Sequence, residues 1–335
     1  MDSLEHIDFS LCTLEFEVRR DSYYWLLEAL DLWRPKVWEF ARLNVTYSLL
    51  SKRKILKMIS TGIVRGWDDP RLFTLMGLRR RGYPPEAINN FCRDIGVSRI
   101  QSTIEVERLE YHIRSYLDVH APRTFAVMNP LRVELVNVGP EECFALDAPW
   151  FPKDASRGSQ RMYLSRVMYI ERDDFRTEDS KSYYGLAPGK TVGLRYAGLL
   201  TCVDVLRNSE GEVTSLRCEY SHERTSKPKG NLHFVSSKPG EEPIRAEVRL
   251  YNNLFRSPFP GEETGNWEDD VNVDSEVVLT NSLVAPAVRE APVESKFQFE
   301  RVGFFVVDQD SNEERIVLNR TVTLKASAEA KAVRG

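Results

Sequence analysis

The sequence predicts an α+β, multidomain protein in which a helical first third is followed by two antiparallel β-barrels. Three observations predict it. Apolar spacing changes near residue 120, from three- and four-residue steps to alternation. The alternating part runs for about 200 residues, too much for one small barrel. Turn clusters punctuate it, at Pro152-Lys-Asp-Ala-Ser-Arg-Gly, Asn208-Ser-Glu-Gly, Lys227-Pro-Lys-Gly-Asn and Ser236-Ser-Lys-Pro-Gly.

Each helix carries its own signals. Asp21 can cap a helix running through Trp33, with Tyr24, Leu27 and Leu30 on one face. Ser51 precedes a basic amphipathic stretch, residues 52–59. Asp68-Asp69-Pro70 reads as a cap with proline in the first turn of a helix leading to Arg79. Pro84-Pro85-Glu86 opens a helix that Gly96 closes. The last helix begins at Thr103, with Val106, Leu109, Ile113 and Leu117 on its apolar face, and breaks by Pro122. Alternation then marks strands at residues 125–127, 132–136, 162–170, 192–196, 247–251, 297–307 and 317–324. Residues 258–274 read as an acidic surface insertion, and 326–335 as a tail that frays.

Composition excludes several classes. The 335 residues carry a net charge of −4 and contain no run of about 18 apolar residues, so no membrane helix is predicted. The start, MDSLEHIDFS, has no basic segment before an apolar one, so no secretory signal is expected. The five cysteines (Cys12, Cys92, Cys143, Cys202 and Cys218) are far apart and lack CxxC spacing, and the five histidines show no ligand spacing. Neither a disulfide framework nor a metal site is predicted, and a cytoplasmic location is expected. Residues 36–81 hold eleven bases against three acids, a net +8, which leaves −12 for the remainder. Such a stretch suits a polyanion, although basic stretches are more often plain solvated surface.

Ser51-Lys52-Arg53-Lys54 follows an apolar run, Val45-Thr-Tyr-Ser-Leu-Leu. A small residue before clustered cations suits a loop that meets phosphate, where lysine can follow charge onto a leaving pyrophosphate. In context, Phe40-Ala-Arg-Leu-Asn-Val-Thr-Tyr-Ser-Leu-Leu-Ser-Lys-Arg-Lys resembles the second signature of the class I aminoacyl-tRNA synthetases, in its glutaminyl and glutamyl variant. Leu49, Leu50, Ser51, Lys52 and Arg53 occupy the signature loop. Ser10-Leu-Cys-Thr-Leu-Glu-Phe-Glu, Gly66-Trp-Asp-Asp-Pro-Arg-Leu-Phe-Thr-Leu, Ala121-Pro-Arg-Thr-Phe-Ala-Val, Phe297-Gln-Phe-Glu-Arg-Val-Gly-Phe-Phe and Asn319-Arg-Thr-Val are similar to other parts of that family, in the same order. Leu78-Arg-Arg-Arg-Gly-Tyr-Pro-Pro-Glu-Ala-Ile-Asn-Asn-Phe-Cys leans to the glutaminyl branch.

The resemblance implies an architecture. Residues 1–65 would end a Rossmann-type catalytic domain and 66–120 would form a helical connecting domain. Residues 121–225 with 302–326 would build a proximal barrel, 226–301 a distal barrel, and 327–335 a tail. The family's first signature has no counterpart, because His6-Ile7 is followed by Asp8-Phe9. The chain thus reads as the C-terminal part, roughly three-fifths, of a longer enzyme. Its own catalysis is expected to be very weak or nil.

The resemblance also implies roles. Lys52, with Ser51, would stabilise attack of the glutamine carboxylate on the α-phosphate of ATP. Thr13, Arg42, Leu43, Leu50, Ser51 and Lys52 would line the ATP site, and Cys12 the rim of the amino-acid pocket. Arg123, Arg195, Gln298 and Arg301 would read anticodon bases, since arginine and glutamine pair with exposed base edges. Strand alternation would turn Gln298 and Glu300 one way and Arg301 the other unless a bulge intervenes, so Gln298 and Arg301 need not touch the same base. Tyr183 or Tyr184 would stack on a base. The implied ligands are ATP with Mg as its counter-ion, glutamine and the tRNA for glutamine. No membrane partner and a monomer are expected, with assembly into a complex of synthetases left open. Two other readings stand beside this one: a tRNA-binding module without catalysis, and the glutamate-specific sibling enzyme.

Overall fold

Capping and apolar spacing set five α-helices among the described residues, which are 1–325 of this computed structural model. They are α1 (Arg20–Ala29), α2 (Lys52–Ser60), α3 (Leu75–Arg80), α4 (Pro85–Ile95) and α5 (Val106–His120). The tail expected to fray lies outside the described residues. Helix α4 starts on its proline and stops at Gly96, whose φ of 72° favours glycine.

Three expectations are corrected. Helix α1 stops at Ala29, short of Trp33, and Asp31 beyond it has a left-handed φ of 49°. Asp68-Asp69-Pro70 is not a helix cap. Thr74 caps α3 by accepting from the Gly77 N–H at 2.9 Å. Asp69 is instead buried, accepting from the Arg71 N–H at 3.0 Å and from its guanidinium at 2.9 and 2.7 Å. Finally, Ser102–Ile104 forms a strand ahead of α5.

The chain divides into two units. The first comprises Met1–Arg65, Pro84–Ile113 and Asn253–Asn272. In it β1 (Phe9–Thr13) and β2 (Lys36–Phe40) pair in parallel across α1, a βαβ unit of the Rossmann kind. Strand β3 (Leu43–Val45) pairs in parallel with β4 (Ser102–Ile104). Thr46 follows β3 and accepts from the Val106 N–H at 3.0 Å, so it secures the start of α5. The acidic insertion is not a free surface loop. Trp267 and Asp270 are buried, Asp270 accepts from the Gly261 N–H at 2.7 Å, and Glu268 ion-pairs with Lys57 of α2.

The second unit comprises Gly66–Tyr83, Arg114–Asn252 and Val273–Gly335. The expected connecting domain is therefore shared between the units rather than standing alone. Two seven-stranded sheets fill the second unit. One runs in the order β14 (Asn231–Leu232), β11 (Thr191–Leu194), β12 (Leu199–Arg207), β13 (Val213–Ser221), β7 (Pro130–Leu135), β10 (Val167–Glu171) and β15 (Val235–Ser236). The other runs β5 (Arg123–Thr124), β18 (Lys296–Phe299), β19 (Gly303–Val307), β20 (Ile316–Thr323), β16 (Ile244–Tyr251), β17 (Glu276–Val284) and β6 (Ala126–Val127). A hairpin of β8 (Cys143–Pro149) and β9 (Ser159–Ser165) adds Leu146, Met162 and Leu164 to the core of the first sheet.

Each sheet is barrel-like for a reason visible in the chain. The edge strands β14 and β15 are joined by His233-Phe234 alone, and β5 and β6 by Phe125 alone. A link that short draws the two edges of each sheet together.

The division of the barrels differs from the expected one. One sheet takes its strands from 130–236, the other from 123–127 and 244–323. The pairing is also not purely antiparallel: β13–β7, β11–β14, β16–β20 and β18–β5 are parallel. These contacts join segments far apart in sequence, which alternation cannot register.

Candidate functional site

In the first unit the signature loop ends on a helix N-terminus. Ser51 is the N-cap of α2, but its side chain makes no capping hydrogen bond. Lys52, Arg53 and Lys54 fill the first turn, and no acidic residue is there. Cations beside the positive end of a helix repel its dipole, at about 0.3–1 kcal/mol each. An anion placed there would reverse that cost and would also meet unpaired backbone N–H groups. Among the described residues, Lys52 and Arg53 are exposed, and their side chains have no hydrogen-bond or ion-pair partner.

Much of the remaining +8 stretch is neutralised. Lys57 pairs with Glu268, and Arg42 with Glu15 at 2.6 Å. In the second unit Arg71 pairs with Asp69 at 2.7 Å, Arg79 with Glu294 at 2.8 Å, and Arg80 with Asp308 and Asp310 at 3.0 and 2.9 Å. The broad basic surface suggested by the sequence is therefore narrower than the count implied.

Thr13 ends β1, opposite Phe40 at the end of β2, and Arg42 follows two residues later. Glu15, which sequence reasoning missed, joins them. Backbone and Thr13 hydrogen bonds, with Arg42 adding attraction, hold its carboxyl below the usual range. Leu43 opens β3 and is exposed, as is Leu50, while Leu49 is half-buried. Cys12 is half-buried opposite Glu39. Glu39 is 1% exposed and ion-paired with Arg20.

In the second unit the four residues proposed to read bases lie along one seam between the barrels. Strand β18 pairs in parallel with β5, placing Gln298 in register with Arg123. Gln298 is 8% exposed, and its Oε1 is buried without a hydrogen-bond partner. Arg123 donates to Asp118 at 3.1 Å. Past β18 the chain turns at Glu300-Arg301-Val302 into β19, so strand alternation ends before Arg301. Arg301 has a left-handed φ of 69° and sits in that turn, not on the opposite strand face that unbroken alternation would give.

That turn meets the other barrel. Glu300 is 5% exposed, ion-pairs with Arg195 and accepts from the Tyr196 hydroxyl. Tyr196 also has a left-handed φ, 60°, and its ring stacks on Phe125 with centroids 5.8 Å apart. Burial, aided by Glu300, pushes its phenol up to about 12. Arg301 makes a two-pronged pair with Asp174, both bonds at 2.6 Å. Sequence reasoning missed Glu300 and Tyr196 as partners, and Asp174 entirely. The only local signal was their position beside Arg301 and Arg195 in the quoted segments.

The pairs leave chemistry to spare. A guanidinium has five N–H donors, and Asp174 uses two of those on Arg301. The unpartnered Gln298 acceptor and the remaining arginine donors match the mixed donor–acceptor edge of a base.

The two tyrosines separate. Tyr183 is half-buried, with the guanidinium of Arg176 4.4 Å and the ammonium of Lys190 5.2 Å from its ring. Burial, with Asp174 nearby, pushes its phenol up to about 12. Tyr184 is 53% exposed, with the Lys229 ammonium 5.9 Å from its ring. A side chain at Gly230 would overlap the Tyr184 carbonyl, so that glycine permits the close approach.

Known proteins match the chain along nearly its whole length. The family model described as tRNA synthetases class I (E and Q), catalytic domain, matches residues 1–119. Two described as tRNA synthetases class I (E and Q), anti-codon binding domain, match residues 121–221 and 231–308. The chain is 50% identical over 333 residues to the cytoplasmic glutamine–tRNA ligase of Arabidopsis thaliana, a match covering 98% of the chain and 42% of that relative. It is 45% identical to the glutamine–tRNA ligase of Bos taurus, over 97% of the chain and 42% of the relative. Against that of Rhodopirellula baltica the figures are 43%, 97% and 55%. The chain spans 42% of the length of the plant and cattle relatives, below the three-fifths expected, and the matched part is their C-terminal region. Among the described residues, no helix is long and apolar enough to cross a membrane. With catalytic and anticodon-binding models of one family matched in succession along it, the chain belongs to the class I tRNA synthetases of the E and Q type.

Proposed function

We propose that this protein serves the ATP-dependent attachment of glutamine to its tRNA, with the barrels gripping the anticodon and Lys52 meeting the phosphates of ATP. The observation that carries the reading is the seam, where Arg123, Arg195, Gln298 and Arg301 gather with an unsatisfied buried acceptor among them. A buried polar atom without a partner costs about 1–3 kcal/mol, and a ligand that donates to it recovers this.

In the first unit, Lys52 and the N–H groups of α2 would hold triphosphate oxygens, with Mg accompanying the nucleotide. Thr13, Arg42, Leu43, Leu50 and Ser51 would border the nucleotide, and Cys12 the amino acid. Tyr184 would stack on an unpaired base, its open ring flanked by Lys229. The names of the relatives support glutamine over glutamate as the amino acid.

The test is tRNA binding at fixed salt by the full chain. Transcripts for glutamine and for glutamate are compared, with Arg123→Ala and Gln298→Ala as controls. Preference for the glutamine tRNA, lost in both variants, supports the reading. Equal binding of the two tRNAs by the unaltered chain refutes it.

A further inference from the structure

His233 sits where the first barrel closes, on the two-residue link between β14 and β15. It is 1% exposed. Its ring packs edge-on against Phe125, with centroids 6.0 Å apart. A histidine there could be a mere apolar filler, but both of its nitrogens face charged groups. Nδ1 lies 3.1 Å from the Arg301 guanidinium, and Nε2 lies 3.7 Å from Oε1 of Glu171.

The Arg301 contact bears on the tautomer. Arginine is only a donor, so this contact calls for an acceptor at Nδ1, which puts the ring hydrogen on Nε2, 3.7 Å from Glu171 and beyond hydrogen-bond reach. Glu171 is itself fixed from behind. Its Oε1 accepts from the Met128 N–H at 2.7 Å and its Oε2 from the Asn129 N–H at 3.0 Å. Glu171, held by two backbone amides, faces Nε2 of His233 without hydrogen-bonding it, while Nδ1 of His233 shares the Arg301 Nη1 with Asp174, which also takes Nη2.

We propose that His233 is a positioning residue for Arg301: the ring, with Nδ1 on the guanidinium and Nε2 facing Glu171, sets the direction in which Arg301 offers its remaining N–H groups to a base. This rests on reading the seam as a base-binding site. Asp174 alone could hold a charge, but a second acceptor at Nδ1 stops the planar fork from swinging about that pair.

Three variants of the full chain separate this role from packing. His233→Asn keeps an acceptor near Nδ1, His233→Gln moves its polar atoms toward the Nε2 position, and His233→Phe keeps only the ring. Each is assayed for the ratio of affinities for the glutamine tRNA and for transcripts with single anticodon substitutions. The ratio at the base read by Arg301 should fall about five- to twentyfold in His233→Phe and His233→Gln. In His233→Asn it should stay within about threefold of the unaltered chain. The Asn and Gln forms are both polar, so they keep the comparison decisive if the Phe form does not fold.

Nitrogen-15 NMR of histidine-labelled protein at neutral pH should show the Nε2–H tautomer for His233, with no tRNA present. Equal ratios in the Asn and Gln forms, or an Nδ1–H tautomer, would overturn the proposal. If the unaltered chain shows no anticodon preference while the Nε2–H tautomer is found, the base-reading role falls and the contact of His233 Nδ1 with Arg301 stands.

Discussion

Replacing Gln298 with methionine should have opposite effects on folding and on tRNA binding. In the free protein its Oε1 is buried and unsatisfied, a condition that costs about 1–3 kcal/mol. Methionine has nearly the same length and no such atom, so Gln298→Met should leave stability unchanged or raise it by about 1 kcal/mol. The strand hydrogen bond from the Gln298 N–H to the Pro122 carbonyl, 2.9 Å, is unaffected by the side chain. Binding should suffer, because a side-chain pair to a base edge is worth about 1–3 kcal/mol, or about five- to 150-fold. The assays are urea unfolding of the full chain and tRNA binding at one salt concentration. If Gln298→Met destabilises by more than about 1 kcal/mol and leaves affinity within about twofold, Gln298 is a structural residue and the site is misplaced.

Three other outcomes follow from the same contacts. Lys52→Ala should weaken ATP binding about tenfold, read by titration calorimetry, whereas Ser51→Ala should be nearly neutral for folding because Ser51 makes no cap bond. Arg80→Met should cost about 3 kcal/mol in unfolding, since it strips the closest cation from the fully buried Asp308 and leaves Arg249 3.5 Å away. A loss under about 1 kcal/mol would show that the network is dispensable. The third outcome is a pH dependence. Burial works to raise the Glu171 carboxyl, but His233 and the N–H groups of Met128 and Asn129 outweigh it and hold it below the usual carboxylate range. Its stabilisation is therefore complete above its unfolded value, about 4.3, and is lost as pH falls through the lower folded one. Relative to Glu171→Gln, the unaltered chain should lose stability on acidification from pH 6 to pH 3; parallel curves would exclude this.

What the sequence revealed and concealed follows the range of the interactions. Local signals were legible: Pro85 and Gly96 bound α4, and Ser51 stands at the N-terminus of α2. Alternation announced two barrels but not their strand order. The parallel pairing of β5 with β18 joins residues 123–124 to residues 298–299, and no local pattern encodes it. Alternation left the facing of Arg301 open to a bulge, and its left-handed backbone does end the alternation there, at a place where an arginine rather than a glycine bears the turn. Glu294, Asp308 and Asp310, which pair with Arg79 and Arg80, lie more than 200 residues away, so the local charge count overstated the basic surface. Glu300, Asp174 and His233 stayed hidden as partners of the arginines for the same reason: each acts across the seam.

The seam is proposed to read unpaired anticodon bases. The most direct measurement is the affinity of the full chain for the glutamine tRNA and for the same transcript with all three anticodon bases replaced, at one salt concentration. The seam predicts at least about tenfold weaker binding of the replaced transcript, narrowing toward unity in Gln298→Met. Equal affinities, with the same steep dependence on salt, would mean that the barrels hold only phosphate and would contradict it.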